Sequence, residues 1–220
     1  MSGYTRSPRL QKGAILAIDP LFPLPNIIIF QYNPAQLSRT LTAQGAQPDG
    51  DTGEAMRLKG PPRESITLKV EIDAADQLEK GSGIAGALGL HPTLAALELL
   101  LYPKSAVVIA NQALALAGII EIIPPEAPLT LLVWGIKRVV PVRIRSFSVT
   151  ESAFDPNLNP IQAEVDLGLD VLTYQDLGLL SVGGMISMTH QVIKEAMALM
   201  DGATNISGTV NASVNFSIGG

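Results

Sequence analysis

At 220 residues the chain is long enough for one large domain or two small ones. Fifteen basic and twenty acidic residues leave a net charge of −5, and charged residues are 16% of the total; with no basic stripe to neutralise phosphates, nucleic-acid binding is disfavoured. The absence of cysteine excludes disulfides, thiolate metal sites and cysteine nucleophiles, and a mean hydropathy of +0.30 leaves little surface for charge.

Residues 1–12 read as a loose arm, with no apolar core behind its positive charges to make a signal peptide. Ala14 to Ile18 predicts a short strand stopped at Asp19-Pro20. Asn26 to Tyr32, isolated by Pro23 and Pro25 and rich in β-branched and aromatic types, predicts a strand buried on both faces. Gln36 to Thr42 continues as an extended segment or short turn. The polar, glycine-rich stretch from Ala43 to Gly60 is a loop long enough to need ordering from outside the subunit, or to move. Ser65 to Asp73 alternates cleanly, with Ile66, Leu68, Val70 and Ile72 inward and Thr67, Lys69 and Glu71 outward.

Asp73 to Lys80 has acids where a helix N-terminus favours them and reads as a short capped helix rather than a metal site. Gly81 to Gly89 is broken by glycines. Pro92 then suits the first position of a helix running to Tyr102, with Leu94, Leu97 and Leu101 as its apolar stripe and His91 as a cap or packing residue. Ala106 to Ile123 approaches the length of a spanning helix. Asn111, Gln112, Glu121 and the closing Pro124-Pro125 favour a buried or subunit-facing segment instead, and membrane contact is disfavoured. Leu129 to Trp134 is a strand turned by Gly135.

The most informative stretch runs from Val140 to Thr173. Ile161, Ala163, Val165, Leu167, Leu169 and Val171 share one side of a strand. The preceding strand alternates with a slip: Val140, Val142 and Ile144 are even, Phe147 and Val149 odd. Phe154-Asp-Pro-Asn-Leu-Asn-Pro160 supplies the turn. Pairing Val149 with Val165 and Phe147 with Leu167 would place Arg145 opposite Leu169, a charge on the apolar side. One extra residue repairs this: Arg145 and Ser146 together oppose Gly168, and Ile144 meets Leu169, Val142 meets Val171 and Arg143 meets Asp170. The pattern therefore predicts a β-bulge at Arg145–Ser146, opposite the residue least able to obstruct it. The outer face carries Arg143, Ser148 and Thr150 beside Glu164, Asp166 and Asp170, polar, net acidic and without a catalytic grouping.

Residues 174–184 read as a glycine-rich linker and Met185 to Met200 as a helix whose methionines serve packing. From Asn205 to Ile218 the alternation is strict, with Ile206, Val210, Val214, Phe216 and Ile218 among the even positions and Asn, Ser and Thr at the odd ones. That suits a strand added to a neighbour's sheet edge through Val210, Val214, Phe216 and Ile218. There is no phosphate-binding glycine loop ending in Lys-Ser/Thr and no Gly-x-Ser-x-Gly elbow. The two histidines, His91 and His190, lie far apart. No cofactor and no enzymatic activity is expected.

Several segments, in order over roughly residues 10–178, resemble the tube-domain family in the baseplates of contractile injection systems, the phage-tail-like particles of bacteria. They are Phe30-Gln-Tyr-Asn-Pro34 with Leu37 and Arg39, Lys59-Gly-Pro-Pro-Arg-Glu64, Glu71-Ile-Asp-Ala-Ala-Asp-Gln-Leu78 and His91-Pro-Thr-Leu-Ala-Ala-Leu97. Further on come Leu101-Tyr-Pro103, Trp134-Gly135, Arg138-Val-Val-Pro-Val142 and Ser148 to Pro160. The resemblance implies a mainly β (α+β) fold, a β-barrel or sandwich of the tail-tube type with a flanking helix, over residues 1–178. Residues 179–220 would hold a C-terminal helix and a β-prone tail. It also implies a hexameric ring joining the inner-tube protein to the spike hub among other baseplate subunits. Such a ring is assembled in the bacterial cytoplasm and carried in a particle that is released or membrane-docked. Some relatives add a peptidoglycan-binding LysM module; the helix and alternating tail expected here depart from that pattern, so cell-wall binding by it is not implied.

A low-charge chain with long hairpins independently suits a subunit that buries surface in neighbours. The assembly or lumen candidates are Arg143, Arg145, Glu164, Asp166 and Asp170 on the hairpin face, with Asn157 and Asn159 at its turn. If that face lines a lumen, its like-charged wall would repel an acidic cargo. The alternatives are a repeating inner-tube subunit, and a small-ligand-binding β-barrel or unrecognised hydrolase with a closed apolar pocket.

Overall fold

The computed structural model describes residues 11–19, 26–45, 57–74, 87–118 and 127–216, with side chains as far as Ala203. The elements are β1 (Ala14–Ile18), β2 (Asn26–Ile29), β3 (Leu37–Thr42), β4 (Arg63–Asp73), α1 (His91–Glu98) and α2 (Ser105–Leu116). After them come β5 (Leu129–Val133), β6 (Val139–Phe154), β7 (Pro160–Val171), α3 (Tyr174–Leu177) and α4 (Val182–Phe216). The chain divides into two compact units, Met1–Leu172 and Thr173–Gly220.

The first unit is mainly β, with its strands in one antiparallel sheet ordered β2-β1-β5-β6-β7-β4-β3. The hairpin register forms as the alternation predicts. Val149 lies opposite Val165, Phe147 opposite Leu167, Ser146 opposite Gly168, Ile144 opposite Leu169 and Val142 opposite Val171, with the shift between Ile144 and Ser146. A Cβ at Gly168 would lie 2.2 Å from Ser146 Oγ, so the bulge occupies the space a larger residue would need. The bulge keeps the inner row of β6 apolar from Val140 to Val149, and Glu151, opposite Ala163, ends it. Ile66, Leu68, Val70 and Ile72 of β4 continue that row opposite Leu169, Leu167, Val165 and Ala163. Ile15, Leu132, Val140 and Val142 complete it on the other side, and all are buried. Each such side chain contributes about 1.5–3 kcal/mol by leaving water.

Among the described residues the strands do not close into a barrel or stack as a sandwich. β2 and β3 are the two edges and do not pair with each other, so the sheet stays open. It does curl: the Asp73 amide at the end of β4 donates to Gln31 Oε1, just past β2, at 2.9 Å. One side-chain bridge stands where a barrel has a ladder, because β2 is only four residues long. The opening is filled by α1, whose Leu94 and Leu97 enter the core with Leu90 and Leu100, while Asn26 Nδ2 donates to the Ala96 carbonyl at 3.3 Å.

The stretch predicted to be buried on both faces is half exposed. Ile28 and Phe30 are buried, whereas Ile27 is 57% and Ile29 61% exposed. An apolar run cannot distinguish a central strand from an edge, and here it lies on an edge. Phe30 packs against Trp134, ring centroids 6.4 Å apart and tilted at 56°. Gly13 lies beneath both rings, where a Cβ would come within 2.8–2.9 Å of them. Asn33 locks this corner, accepting from the Gly13 amide and donating to the Gln11 carbonyl, each at 2.8 Å.

The helices depart further from the pattern. α1 ends at Glu98 rather than Tyr102, and Leu100, not Leu101, takes the buried place. Leu90 is its N-cap, with no side-chain cap, so His91 caps nothing and is exposed. α2 buries none of its residues despite its apolar sequence. No helix among the described residues is long and apolar enough to cross a membrane. The stretch read as a linker holds α3, closed by a capping box: Asp176 accepts from the Thr173 amide at 2.8 Å and Thr173 Oγ1 accepts from the Gln175 amide at 3.3 Å. It also holds the first turn of α4. That helix continues to Phe216, so Val210, Val214 and Phe216 lie in a helix instead of a strand. Positions two apart include positions four apart, such as 206, 210 and 214, which a helix accepts equally, and a lone chain must satisfy its backbone locally.

The ends of the long loop are pinned by a Gly45–Leu58 bridge and a Lys59 amide to Gln44 carbonyl bond of 2.9 Å. Its middle (46–56), the arm (1–10), the capped helix (75–80), the stretch 81–86, the end of the apolar run (119–126) and Ile218 lie outside the described residues.

Gly168→Val is expected to destabilise the first unit by about 1–3 kcal/mol through overpacking against Ser146. Ser146→Ala in the same chain should recover most of the loss. Urea denaturation of the two variants checks this, and an unchanged midpoint for Gly168→Val would contradict the bulge geometry.

Candidate functional site: the outer face and the two ends of the hairpin

The outer rows of β6, β7 and β4 bring the predicted charged residues together in two groups. Arg143 reaches Asp170 at 3.4 Å, and Arg145 approaches the same carboxylate at 3.9 Å. Lys69 of β4 lies between Glu164, at 2.6 Å, and Asp166, at 3.9 Å. The hydrogen bond that Lys69 Nζ donates to Glu164 raises the Lys69 pKa above its ordinary value. Lys69 reads as outward-facing in the sequence, but its partners follow from the β4–β7 register, which places it directly opposite Asp166. The acidic face is thus partly neutralised. Exposed pairs of this kind contribute about 0–1 kcal/mol each.

Beside Lys69 the surface opens into two grooves. One, of about 360 Å³, passes over Gly168 between Ser38, Thr67 and Ser148, and the other, of about 380 Å³, lies between Tyr32, Gln36 and Glu71. Both are open and mixed in lining, unlike the closed apolar pocket that a ligand-binding barrel requires. Among the described residues no three metal-ligating side chains converge.

At the turn, Asn157 and Asn159 serve the fold. Asp155 Oδ1 accepts from the Asn157 and Asn159 amides at 2.7 and 2.8 Å, and Asn159 Nδ2 donates to Asp155 Oδ2 at 2.8 Å. These bonds, the Asn159 side chain first, hold the Asp155 pKa below its ordinary 3.8. The turn is tied to the segment before α1 by Asn159 Nδ2 to the Ala87 carbonyl (3.3 Å) and by the Leu90 amide to the Pro160 carbonyl (2.9 Å). Held this way, the turn keeps Leu158 at φ 65, an unusual conformation for a bulky residue, and presents it 76% exposed beside exposed Phe154.

The opposite end of the sheet holds a group that sequence reasoning missed. Arg39 of β3 donates through Nε to Glu64 of β4 at 2.6 Å, with the carboxylate buried. Arg138, ahead of β6, is close enough for burial and then Arg39 to lower its pKa while Glu64 opposes them. Three segments remote in sequence converge on one buried carboxylate. The signal available was inward-facing parity: Glu64 shares it with Ile66, and a lone inward acid calls for a cation.

Neither a protein-family model nor a curated protein matches the chain. Among solved structures it is similar to a chain in the tail of an empty GTA particle computed with helical refinement and C6 symmetry. The identity is 12% and the TM-score 0.30, covering 72% of this chain and 90% of that one. It is also similar to a chain of the native gene transfer agent virion, at 11% identity and TM-score 0.27, covering 72% and 90%. A third is a chain of the six-fold symmetrised anti-feeding prophage baseplate, at 12% identity and TM-score 0.24, covering 76% and 94%. Likeness at this level leaves function to be argued from the residues.

Arg39→Met should destabilise the protein by about 2–3 kcal/mol, because it removes the 2.6 Å hydrogen bond to a buried carboxylate, while Arg39→Met with Glu64→Leu should recover most of that. Thermal melts of the single and double variants decide it. For Asp155 the depressed pKa means that its stabilisation is complete above pH 3.8 and is lost as pH falls through the lower folded value. NMR titration should therefore find the Asn157 and Asn159 amides steady at neutral pH and moving only below that point.

Proposed function

We propose that the protein is a structural subunit of a contractile-injection-type particle, forming a hexameric ring that joins an inner tube to a spike hub. The reading is supported first by surface that the chain leaves unfinished. Edge strand β2 exposes Ile27 and Ile29, and α2 buries none of its residues though it contains no charge from Ser105 to Leu116. Exposed apolar edges invite partners, and copies related by rotation supply them in a closed ring. The sequence segments resembling tube-domain proteins support it second, and they acquire definite roles: Phe30, Gln31 and Asn33 build one corner with Trp134, whose amide donates to the Arg138 carbonyl at 2.7 Å, while Arg39 and Arg138 gather at Glu64. The hairpin charges belong to the outer face of the sheet, and its assignment to a lumen is part of the proposal. The inner tube, the hub and other baseplate subunits are the proposed partners.

Electron microscopy with mass measurement should show six-fold rings of the purified protein. Ile27→Lys with Ile29→Lys should dissolve them into monomers with the melting temperature within about 2 °C of the parent, since both side chains are already exposed in the single chain. Long tubes formed without other components would favour the repeating tube subunit, and monomers at high concentration would end the ring reading.

A further inference from the structure

In the second unit, α4 carries a repeat that its own packing leaves unused. Met185, Val192, Leu199 and Ile206 recur at seven-residue intervals, and Thr189, Ala196, Ala203 and Val210 each follow four residues later. Alternating steps of four and three set both series along one stripe of a helix, the spacing of a coiled-coil seam. The stripe carries no charge, although Lys194, Glu195 and Asp201 lie on the same helix. Within the unit α4 packs through another side. Gly183, Gly184 and His190 are buried, and Gly184 sits so close to the Gly178 carbonyl that a Cβ has no room. On the stripe, Met185 is 52%, Val192 54% and Leu199 76% exposed, and Thr189, Ala196 and Ala203 are exposed with them. Local propensity does not account for so long a helix. From Gly202 onward it is rich in Gly, Asn, Ser, Thr and Val, all weak helix formers, and a 35-residue helix of this kind gains its stability from packing along its length.

We propose that the α4 helices of neighbouring copies pack side by side along this stripe, parallel and in register, so that Val192 of one copy lies near Val192 of the next and Leu199 near Leu199. A second copy supplies what the stripe lacks, an equal apolar run at the same spacing with no charge to bury. A lipid surface suits it less, because Lys194 is the only lysine or arginine of α4 and a membrane-surface helix needs a basic flank. The parallel orientation rests on the ring reading, since rotation about one axis leaves α4 of every copy pointing the same way. The inference goes beyond that reading by giving the second unit a part in it, where the ring was argued from exposed edges of the first. Small residues alternate with large ones along the seam, so each contact is shallow and fastens copies that the ring has already gathered.

The chain has no cysteine, so single cysteines introduced into the full chain report neighbours without background. Val192→Cys and Leu199→Cys should each give covalently joined pairs with a short bismaleimide, whereas Ala198→Cys, exposed on another side of α4, should stay single. Adding Leu199→Asp to the Val192→Cys chain should cut joining about tenfold by placing a charge in the seam. Its melting temperature should stay near that of the parent, since Leu199 is exposed in the single chain. Mixed joints between position 192 of one copy and position 199 of another that exceed the same-site joints would mean antiparallel helices and overturn the proposal. Six-fold rings whose cysteines do not join would also overturn it while leaving the ring intact. Joined pairs in an assembly of another symmetry would keep the seam and discard the six-fold ring. An unjoined chain that floats with mixed phosphatidylcholine–phosphatidylserine vesicles would overturn the seam in favour of a lipid surface.

Discussion

The position where two residues of β6 oppose one residue of β7 governs both faces of the sheet. Without the extra residue at Arg145–Ser146, the strand would present either Phe147 and Val149 or Ile144 and Val142 to the core, but not both sets, because side chains alternate with a period of two. With it, the inner row is continuous from Val140 to Val149 and meets buried partners throughout β7 and β4. The same shift keeps Arg143 and Arg145 on the outer face, where both reach Asp170.

Around this hairpin the sheet is nearly complete at its centre and unfinished at its margins. The Arg39–Glu64 pair reinforces the β3–β4 ladder, while on the β2 side the Gln31 bridge to Asp73 is a polar bond where a barrel would use a ladder. The buried carboxylate is costly alone and adds little when paired beyond what apolar residues would provide, so it secures the placement of β3 more than overall stability. Apolar surface remains where the polar fastenings stop, on the outer side of β2 and along α2. Among the described residues this apolar surface is bare, as the proposed ring requires.

The hairpin extends this logic lengthwise. A long two-stranded ribbon with a stiff tip transmits position from one end of the subunit to the other. The Asp155 bonds that order the tip also fix its distance from α1 through Asn159 and Pro160.

The sequence by itself determined what alternation can carry: β1, β4, β5, the hairpin and its bulge, down to Ile144 opposite Leu169 and Ser146 opposite Gly168. It did so because a period of two together with burial admits one register once a charge would otherwise enter the core. Tertiary structure alone decided which strands became edges, so the Ile27-Ile-Ile29 run reads as buried though one face is bare, and an open sheet stands where a barrel was implied. It also decided the salt-bridge partners of Lys69 and the gathering of Arg39, Glu64 and Arg138, which depend on pairings between distant segments. The tail marks the boundary between the two: its alternation is compatible with a strand, yet a strand needs a neighbour, and in the single chain the backbone satisfies itself as helix to Phe216.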